Sequence, residues 1–386
     1  MTKGQFPIDK FQRVRTPFYY YDTALLRRTL DALRRAAARH DRFVVHYAVK
    51  ANANEAVLRV ISDSGLGADC VSGGEIERAL KTGFPADRIV YAGVGKNDWE
   101  INLALDKAIF CFNVESIAEL EVINALAKAR NLTAPVCLRV NPDVAAHTHK
   151  NITTGLAENK FGIAMADLLP AIDEAQKMEN IRFLGIHFHI GSQILNMFDY
   201  VALCNRVNDI LDLLDRHNVH VSVVNVGGGL GVNYVDPDSD PIPDFDAYFD
   251  TFARHLRLRP SQTLHFEPGR SVTAQMGSLI TRVLYVKQGV NKQFVIVDAG
   301  MTDLIRPALY QAVHKIENLT SSLPPRTYDV VGPICESSDV FAKAIDLNET
   351  RRGDLLAIRS AGAYGEIMAS QYNCRPLPRG YMTEDL

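Results

Sequence analysis

Between residues 43 and 267 a short apolar run recurs eight times, each followed, except the last, by a stretch with helical spacing. Few folds can accommodate that period. The first run, Phe-Val-Val-His-Tyr-Ala-Val at 43–49, is apolar or aromatic almost throughout and has two β-branched residues in succession, so it reads as a strand covered on both faces. Parallel strands need a crossover between them, and one helix per crossover within about 250 residues is the period of a (β/α)8 barrel. The remaining strands are read at 67–71, 88–92, 108–113, 135–140, 183–190, 223–226 and 264–267. Helices are expected at 54–62, 74–81, 99–105, 116–130, 166–177, 199–217 and 245–258. The polar, glycine-broken insertion at 143–160 reads as a loop, and loops of that length in compact domains are often functional.

Two segments lie outside this period. The aromatic stretch 16–21 (Thr-Pro-Phe-Tyr-Tyr-Tyr) reads as a strand, followed by Asp22 as the N-cap of a helix with Leu25, Leu26, Leu30 and Leu33 on one face. From 271 onward short β-rich runs appear at 279–286, 293–297, 328–331 and 354–358 with no long helix between them, which predicts a second, antiparallel β domain. The expected fold is therefore α/β plus all-β: a barrel over 23–270 and a β domain over 271–386.

Composition narrows the function. With 386 residues, 47% hydrophobic and 23% charged, the chain has the balance of a globular protein of about two domains. A net charge of -3 gives no reason to expect nucleic acid or an anionic membrane as partner. The six cysteines (70, 111, 137, 204, 335 and 374) include no CxxC pair, which fits reduced thiols in a cytoplasm better than a disulfide framework or a structural zinc site. The first residues have no apolar signal core, and no apolar run is long enough to span a bilayer.

In a (β/α)8 barrel the chemistry sits at the carboxyl ends of the strands, and the unusual residues of this chain fall there. The first strand ends in Lys50, the sixth in His187-Phe-His189-Ile-Gly-Ser192, the seventh in Gly227-Gly228-Gly229-Leu-Gly231 and the eighth in Glu267-Pro-Gly269-Arg270. A lysine at a buried strand end is partly desolvated, which favours the free amine that attacks carbonyls; alternatively it simply snorkels to water. Three successive glycines let backbone N–H groups close around a phosphate, or make only a tight turn. A dinucleotide site is excluded, because a loop rather than a helix follows the glycines. Arg270 and Ser192 add donors for an anion, Glu267 can hold a proton on a ring nitrogen, and His189 can lie against an aromatic ring. His187 and His189 share a strand face and invite a metal reading, but the further ligands of a barrel metallohydrolase are missing, so no metal is expected. A lysine amine, a phosphate cradle and a carboxylate for a ring nitrogen are together the requirements of pyridoxal phosphate.

The motifs Tyr-Ala-Val-Lys50-Ala-Asn, His189-Ile-Gly-Ser-Gln, Gly-Gly-Gly-Leu-Gly, Glu267-Pro-Gly-Arg270 and Cys335-Glu-Ser-Ser-Asp339 resemble those of the fold-type III pyridoxal-phosphate decarboxylases. Lys160-Phe-Gly162 and the stretches at 298–310 and 361–365 bring the resemblance closest to the diaminopimelate decarboxylase family. The resemblance implies that the N-terminal strand, within 1–22, joins the β domain. It implies a homodimer with shared sites, in which Lys160 of one copy pairs with Asp339 of the other. Carried over, Lys50 and Cys335 are catalytic, the second as proton donor. Lys50, His189, Ser192, Gly228, Gly229, Glu267, Gly269, Arg270 and Tyr364 hold pyridoxal phosphate, and Arg270, Arg306, Tyr310, Glu336 and Tyr364 contact the amino-acid substrate. From spacing alone Cys335 would read instead as a buried apolar thiol. Ornithine, arginine or carboxynorspermidine decarboxylation, a metal-dependent barrel hydrolase and a non-catalytic binding homologue are the alternatives.

Overall fold

A computed structural model describes residues 6–142 and 160–386, so most of the expected insertion loop lies outside the described residues. The chain divides into two compact units: Leu30–Gly231 with Asp244–Gly269, and Met1–Thr29 with Val232–Pro243 and Arg270–Leu386.

The first unit is a closed parallel barrel of eight strands among the described residues. After β1 (Phe18–Tyr21), which belongs to the other unit, these are β2 (Phe43–Ala48), β3 (Gly67–Cys70), β4 (Ile89–Tyr91), β5 (Cys111–Val114), β6 (Ala134–Arg139), β7 (Ile181–His187), β8 (Val223–Asn225) and β9 (Thr263–Phe266). The barrel closes by pairing β2 with β9, with Phe43 opposite Leu264 and Val45 opposite Phe266. Its helices begin where polar caps satisfy the first free N–H groups. Asn54, Ser72, Asn97, Ser116, Asn196 and Asp244 each accept from a backbone N–H of the first turn. Asn97 and Glu100 form a reciprocal capping box. Between barrel and helix, Phe249 and Phe252 pack edge-on against Phe266 at 4.9 and 5.1 Å between ring centroids. Each such buried ring contributes on the order of 1.5–3 kcal/mol.

The second unit is an eight-stranded sheet. Its strands are β1, β10 (Gly277–Gln288), β11 (Gln293–Val297), β12 (Ile316–Asn318), β13 (Pro325–Val331), β14 (Val340–Asn348), β15 (Leu355–Ile358) and β16 (Arg379–Met382). The ladder runs β12-β15-β10-β11-β13-β14, with β1 beside β10 and β16. Most pairs are antiparallel; β1 with β16 and β11 with β13 are parallel. Phe11, Phe18, Tyr20, Ile280, Leu319, Leu355 and Ala357 form its apolar core. Asp22 does cap the helix after β1, accepting from Leu25 N at 2.9 Å. Among the described residues no helix is long and apolar enough to cross a membrane.

Candidate active site

In the barrel unit, Lys50 does not end a strand. It sits in a 3-10 turn, Val49–Ala51, just after β2. Its side chain is 38% exposed and its Nζ lies 3.4 Å from Asp69 Oδ2 on β3. The side chain is thus partly withdrawn from water, and a carboxyl group stands beside the amine. Asp69 is fully buried and its Oδ1 has no hydrogen-bond partner. Burial, with the charge of Glu267, raises the Asp69 carboxyl to about 8 against the opposing pull of Lys50.

Glu267, one residue past β9, is buried and threefold supported. Its Oε1 accepts from Asn225 Nδ2 at 2.7 Å and Asn113 Nδ2 at 3.3 Å, and its Oε2 from His187 Nε2 at 3.1 Å. Burial pushes the carboxyl up, but His187, Lys50 and Asn225 outweigh it and hold Glu267 well below the usual carboxylate range. The result is a permanent buried carboxylate. His187 is therefore committed to Glu267, whereas His189 Nδ1 accepts from Gly228 N at 3.4 Å. The two histidines serve different partners, and among the described residues no group of three or more His, Cys, Asp or Glu is placed to hold a metal ion.

The glycines are required by close approach. A Cβ on Gly228 would stand 2.1 Å from the Glu267 carbonyl oxygen. Gly229 has φ +108, and a Cβ there would meet Gly191 O at 2.7 Å. The turn that carries Ser192 is laced to this segment: Ile194 N donates to Gly229 O, and Gly231 N to Ile194 O, each at 2.9 Å. Gly269 packs where a Cβ would stand 3.0 Å from those of Ala48 and Ala51, which flank Lys50. Lys50, His189, Ser192, Gly228, Gly229, Glu267 and Gly269 are thus assembled at the carboxyl end of the barrel. A bare glycine cradle, an ionised buried acid and an amine on a turn fit pyridoxal phosphate, and the buried unpartnered Asp69 Oδ1 and His187 Nδ1 mark the interior as prepared for polar chemistry. Substituting Ala for Gly228 should destabilise the protein by about 1–3 kcal/mol, because a carbonyl cannot yield to the new methyl. It should also weaken cofactor binding. Urea unfolding and an absorbance titration with pyridoxal phosphate check both; a wild-type midpoint would contradict the close approach.

In the other unit, Arg270 follows Gly269 directly in the chain and is buried. Its Nη1 donates to Tyr234 Oη at 2.7 Å, and its guanidinium lies 4.8 Å from the Tyr364 ring. Tyr364 holds a φ of 55, uncommon for a bulky residue and a mark of a position fixed by its surroundings. Arg306 opens the short helix Arg306–Tyr310, so Tyr310 lies at the far end of the same turn. The Arg306 guanidinium is buried over the Tyr234 ring at 4.7 Å, with Nη1 donating to His314 Nε2 at 2.9 Å and Nε without a partner. Burial lowers its pKa; Arg270 adds to that, and the opposing influences are tyrosines, not carboxylates.

Cys335 is exposed, against the burial that its spacing suggests. Its N donates to Asn373 Oδ1 at 3.3 Å, and the neighbouring Glu336 accepts from Tyr372 Oη at 2.8 Å. Asp339, for which the resemblance implied a pair with Lys160 of another copy, is 4% exposed and accepts from two backbone N–H groups of its own unit. It accepts from Met301 N at 2.6 Å and Ile334 N at 2.7 Å. Sequence reasoning passed over Asp69, Asn113, Asn225, Tyr234 and His314. The first three carried a usable signal, since each is a polar residue at or near the end of an apolar barrel strand.

A parallel barrel with an amine, a glycine cradle and an ionised acid at its carboxyl end defines the class of pyridoxal-dependent decarboxylases. Residues 25–274 match the family model for the pyridoxal-binding domain of pyridoxal-dependent decarboxylases. The chain is 65% identical over 384 residues to a diaminopimelate decarboxylase of Bacteroides thetaiotaomicron, covering 100% of both. It matches the crystal structure of diaminopimelate decarboxylase from Helicobacter pylori complexed with L-lysine at TM-score 0.91 and 41% identity, over 98% of this chain and 94% of that one. The M. jannaschii diaminopimelate decarboxylase in co-complex with L-lysine matches at TM-score 0.90 and 36% identity, over 97% and 89%. The chain belongs to the diaminopimelate decarboxylase family.

Proposed function

We propose that the protein decarboxylates meso-diaminopimelate to L-lysine and CO2, in the cytoplasm, as a homodimer with shared sites. The observation that carries the substrate assignment is Arg306: among the described residues, a buried guanidinium with an unpartnered Nε whose charge is supported by tyrosines rather than by a carboxylate. Such a group calls for an anion from the substrate. Diaminopimelate brings a second carboxylate at its far end; ornithine and arginine have none there.

Pyridoxal phosphate, when bound, supplies the electron sink for the pair released as CO2 leaves. By the resemblance, Lys50 would hold it through the amine, Gly228, Gly229, Gly269, Ser192 and Arg270 would serve its phosphate, and His189 would lie against its ring. Glu267, kept ionised by His187 and Asn225, would hold a proton on the ring nitrogen. By the resemblance, Arg306 and Tyr310 would take the far carboxylate, Glu336 would take the far ammonium, and Tyr364 would close the cofactor pocket. When the bond from the α-carbon to its carboxylate breaks, that carbon needs a proton in place of CO2, and the exposed Cys335 thiol donates it.

The resemblance supports Cys335 and Glu336 of one copy completing the site that contains Lys50 of the other. Mixing inactive Lys50→Ala with inactive Cys335→Ala under subunit exchange should then restore about a quarter of wild-type activity, since about half the dimers are mixed and each has one intact site. A mixture that stays inactive would argue for sites within one chain. The assignment as a whole is tested by assaying lysine and CO2 release from meso-diaminopimelate against ornithine and arginine.

A further inference from the structure

We infer that His314 is the positioning residue that aims the Arg306 guanidinium at the far carboxylate of the substrate; this rests on the role proposed above for Arg306. The chain after the Arg306–Tyr310 helix turns back through Gln311, whose φ is 54, and this brings His314 beneath the guanidinium. Two hydrogen bonds leave its ring no choice of tautomer. The Arg359 carbonyl, 2.8 Å from Nδ1, can only accept, so Nδ1 carries the proton. Arg306 Nη1, 2.9 Å from Nε2, can only donate, so Nε2 presents its lone pair.

The anchor is rigid. Arg359 follows β15, and its N donates to Lys315 O at 2.8 Å, extending the pairing of β12 with β15 by one rung. The Arg359 side chain is itself held by Glu317 at 2.6 Å and Asp238 at 2.8 Å. Tyr234 packs edge-on against the His314 ring at 5.1 Å between centroids and lies under the Arg306 guanidinium. Burial, with the charge of Arg306, lowers His314 to about 3, so it stays a neutral acceptor throughout the working pH range. With one Nη1 hydrogen bonded to His314 and the plane stacked on Tyr234, the unpartnered Nε edge is the one left to meet a carboxylate.

A neutral acceptor can be replaced by Gln but not by Leu, and that contrast is the test. With holoenzyme, His314→Leu should raise KM for meso-diaminopimelate about tenfold with kcat within about threefold of wild type, the pattern of a lost binding interaction. His314→Gln should stay within about threefold on both. L-Lysine, which keeps the far carboxylate, should bind His314→Leu about tenfold more weakly, whereas cadaverine, which lacks it, should bind within about twofold of wild type. In an Arg306→Met background the Leu substitution should add less than about twofold, because its effect passes through the missing guanidinium. Equal losses for lysine and cadaverine, an undiminished effect in the Arg306→Met background, or a Gln variant as impaired as Leu would each assign His314 a merely structural role and overturn the inference. Wild-type KM in His314→Leu, with Arg306→Met severely impaired, would overturn the inference alone. Arg306→Met without effect would remove the reading of Arg306 and this inference with it.

Discussion

Lys50→Ala is expected to purify without the visible absorbance of bound pyridoxal phosphate and to lose at least about 1,000-fold in decarboxylation rate, about 4 kcal/mol of barrier. On the role proposed for Lys50, its amine is the group that would hold the cofactor covalently. Asp69, 3.4 Å away, is a carboxyl, and the chain neighbours Val49, Ala51 and Asn52 carry no amine that could take its place. Borohydride treatment of the wild type should fix the cofactor to the peptide containing Lys50 and give no label in the variant. Since the side chain is 38% exposed, its removal leaves no sealed cavity and stability should change little. That separates this variant from Gly228→Ala, whose defect should appear in both unfolding and cofactor binding. A coloured, active Lys50→Ala enzyme would end the assignment of the anchor.

Arg306→Met should cut kcat/KM for meso-diaminopimelate at least about 100-fold, the loss expected when a buried carboxylate is deprived of a charged partner worth about 3 kcal/mol. Met preserves the length and much of the volume of the side chain, so Tyr234 keeps a packing partner. Only the charge and the donors go. His314 Nε2 is left without its donor, a smaller cost confined to one acceptor. Cofactor absorbance should be unchanged, because the expected cofactor ligands in the barrel unit are untouched. Near-wild-type turnover of diaminopimelate by the variant, or a wild-type preference for ornithine or arginine, would defeat the substrate assignment and leave the cofactor chemistry standing.

The barrel was legible because its strands are covered on both faces and so are mostly apolar, as at 43–49 and 223–226. The helices between them were legible to within a few residues because polar caps such as Asn54 and Ser116 announce their starts. The β unit was read less well. Val340–Asn348 is half exposed and carries Lys343 and Asp346 among its apolar residues, so it lacks the continuous apolar signal. Arg379–Met382 contains a glycine and acquires strand character only by pairing with Phe18–Tyr21. The site divided along the same line. Lys50, Gly228 and Glu267 announce themselves by following closely on apolar strands. Tyr234 and His314 do not, since their burial and their bonds to Arg270 and Arg306 arise from contacts that no local pattern encodes. The turn at Lys50 shows the converse limit: the residue was correctly placed at the barrel mouth, but one 3-10 turn decides whether it is desolvated.

The pairing of Phe18–Tyr21 with strands near both ends of the second half of the chain bears on how the protein is made. On the ribosome the barrel strands emerge as one uninterrupted series, so Leu264 becomes available to pair with Phe43 before the β unit has been synthesised in full. Phe18 must wait for Ile280 on one side and for Arg379 on the other, the longest-range contacts of the sheet. Throughout that interval a Phe-Tyr-Tyr-Tyr segment is exposed with both backbone edges unpaired, the kind of segment that recruits strands from neighbouring nascent chains. Chaperone demand during synthesis should therefore centre on these four aromatic residues rather than on the larger barrel, and it should end only when the last strand has been released.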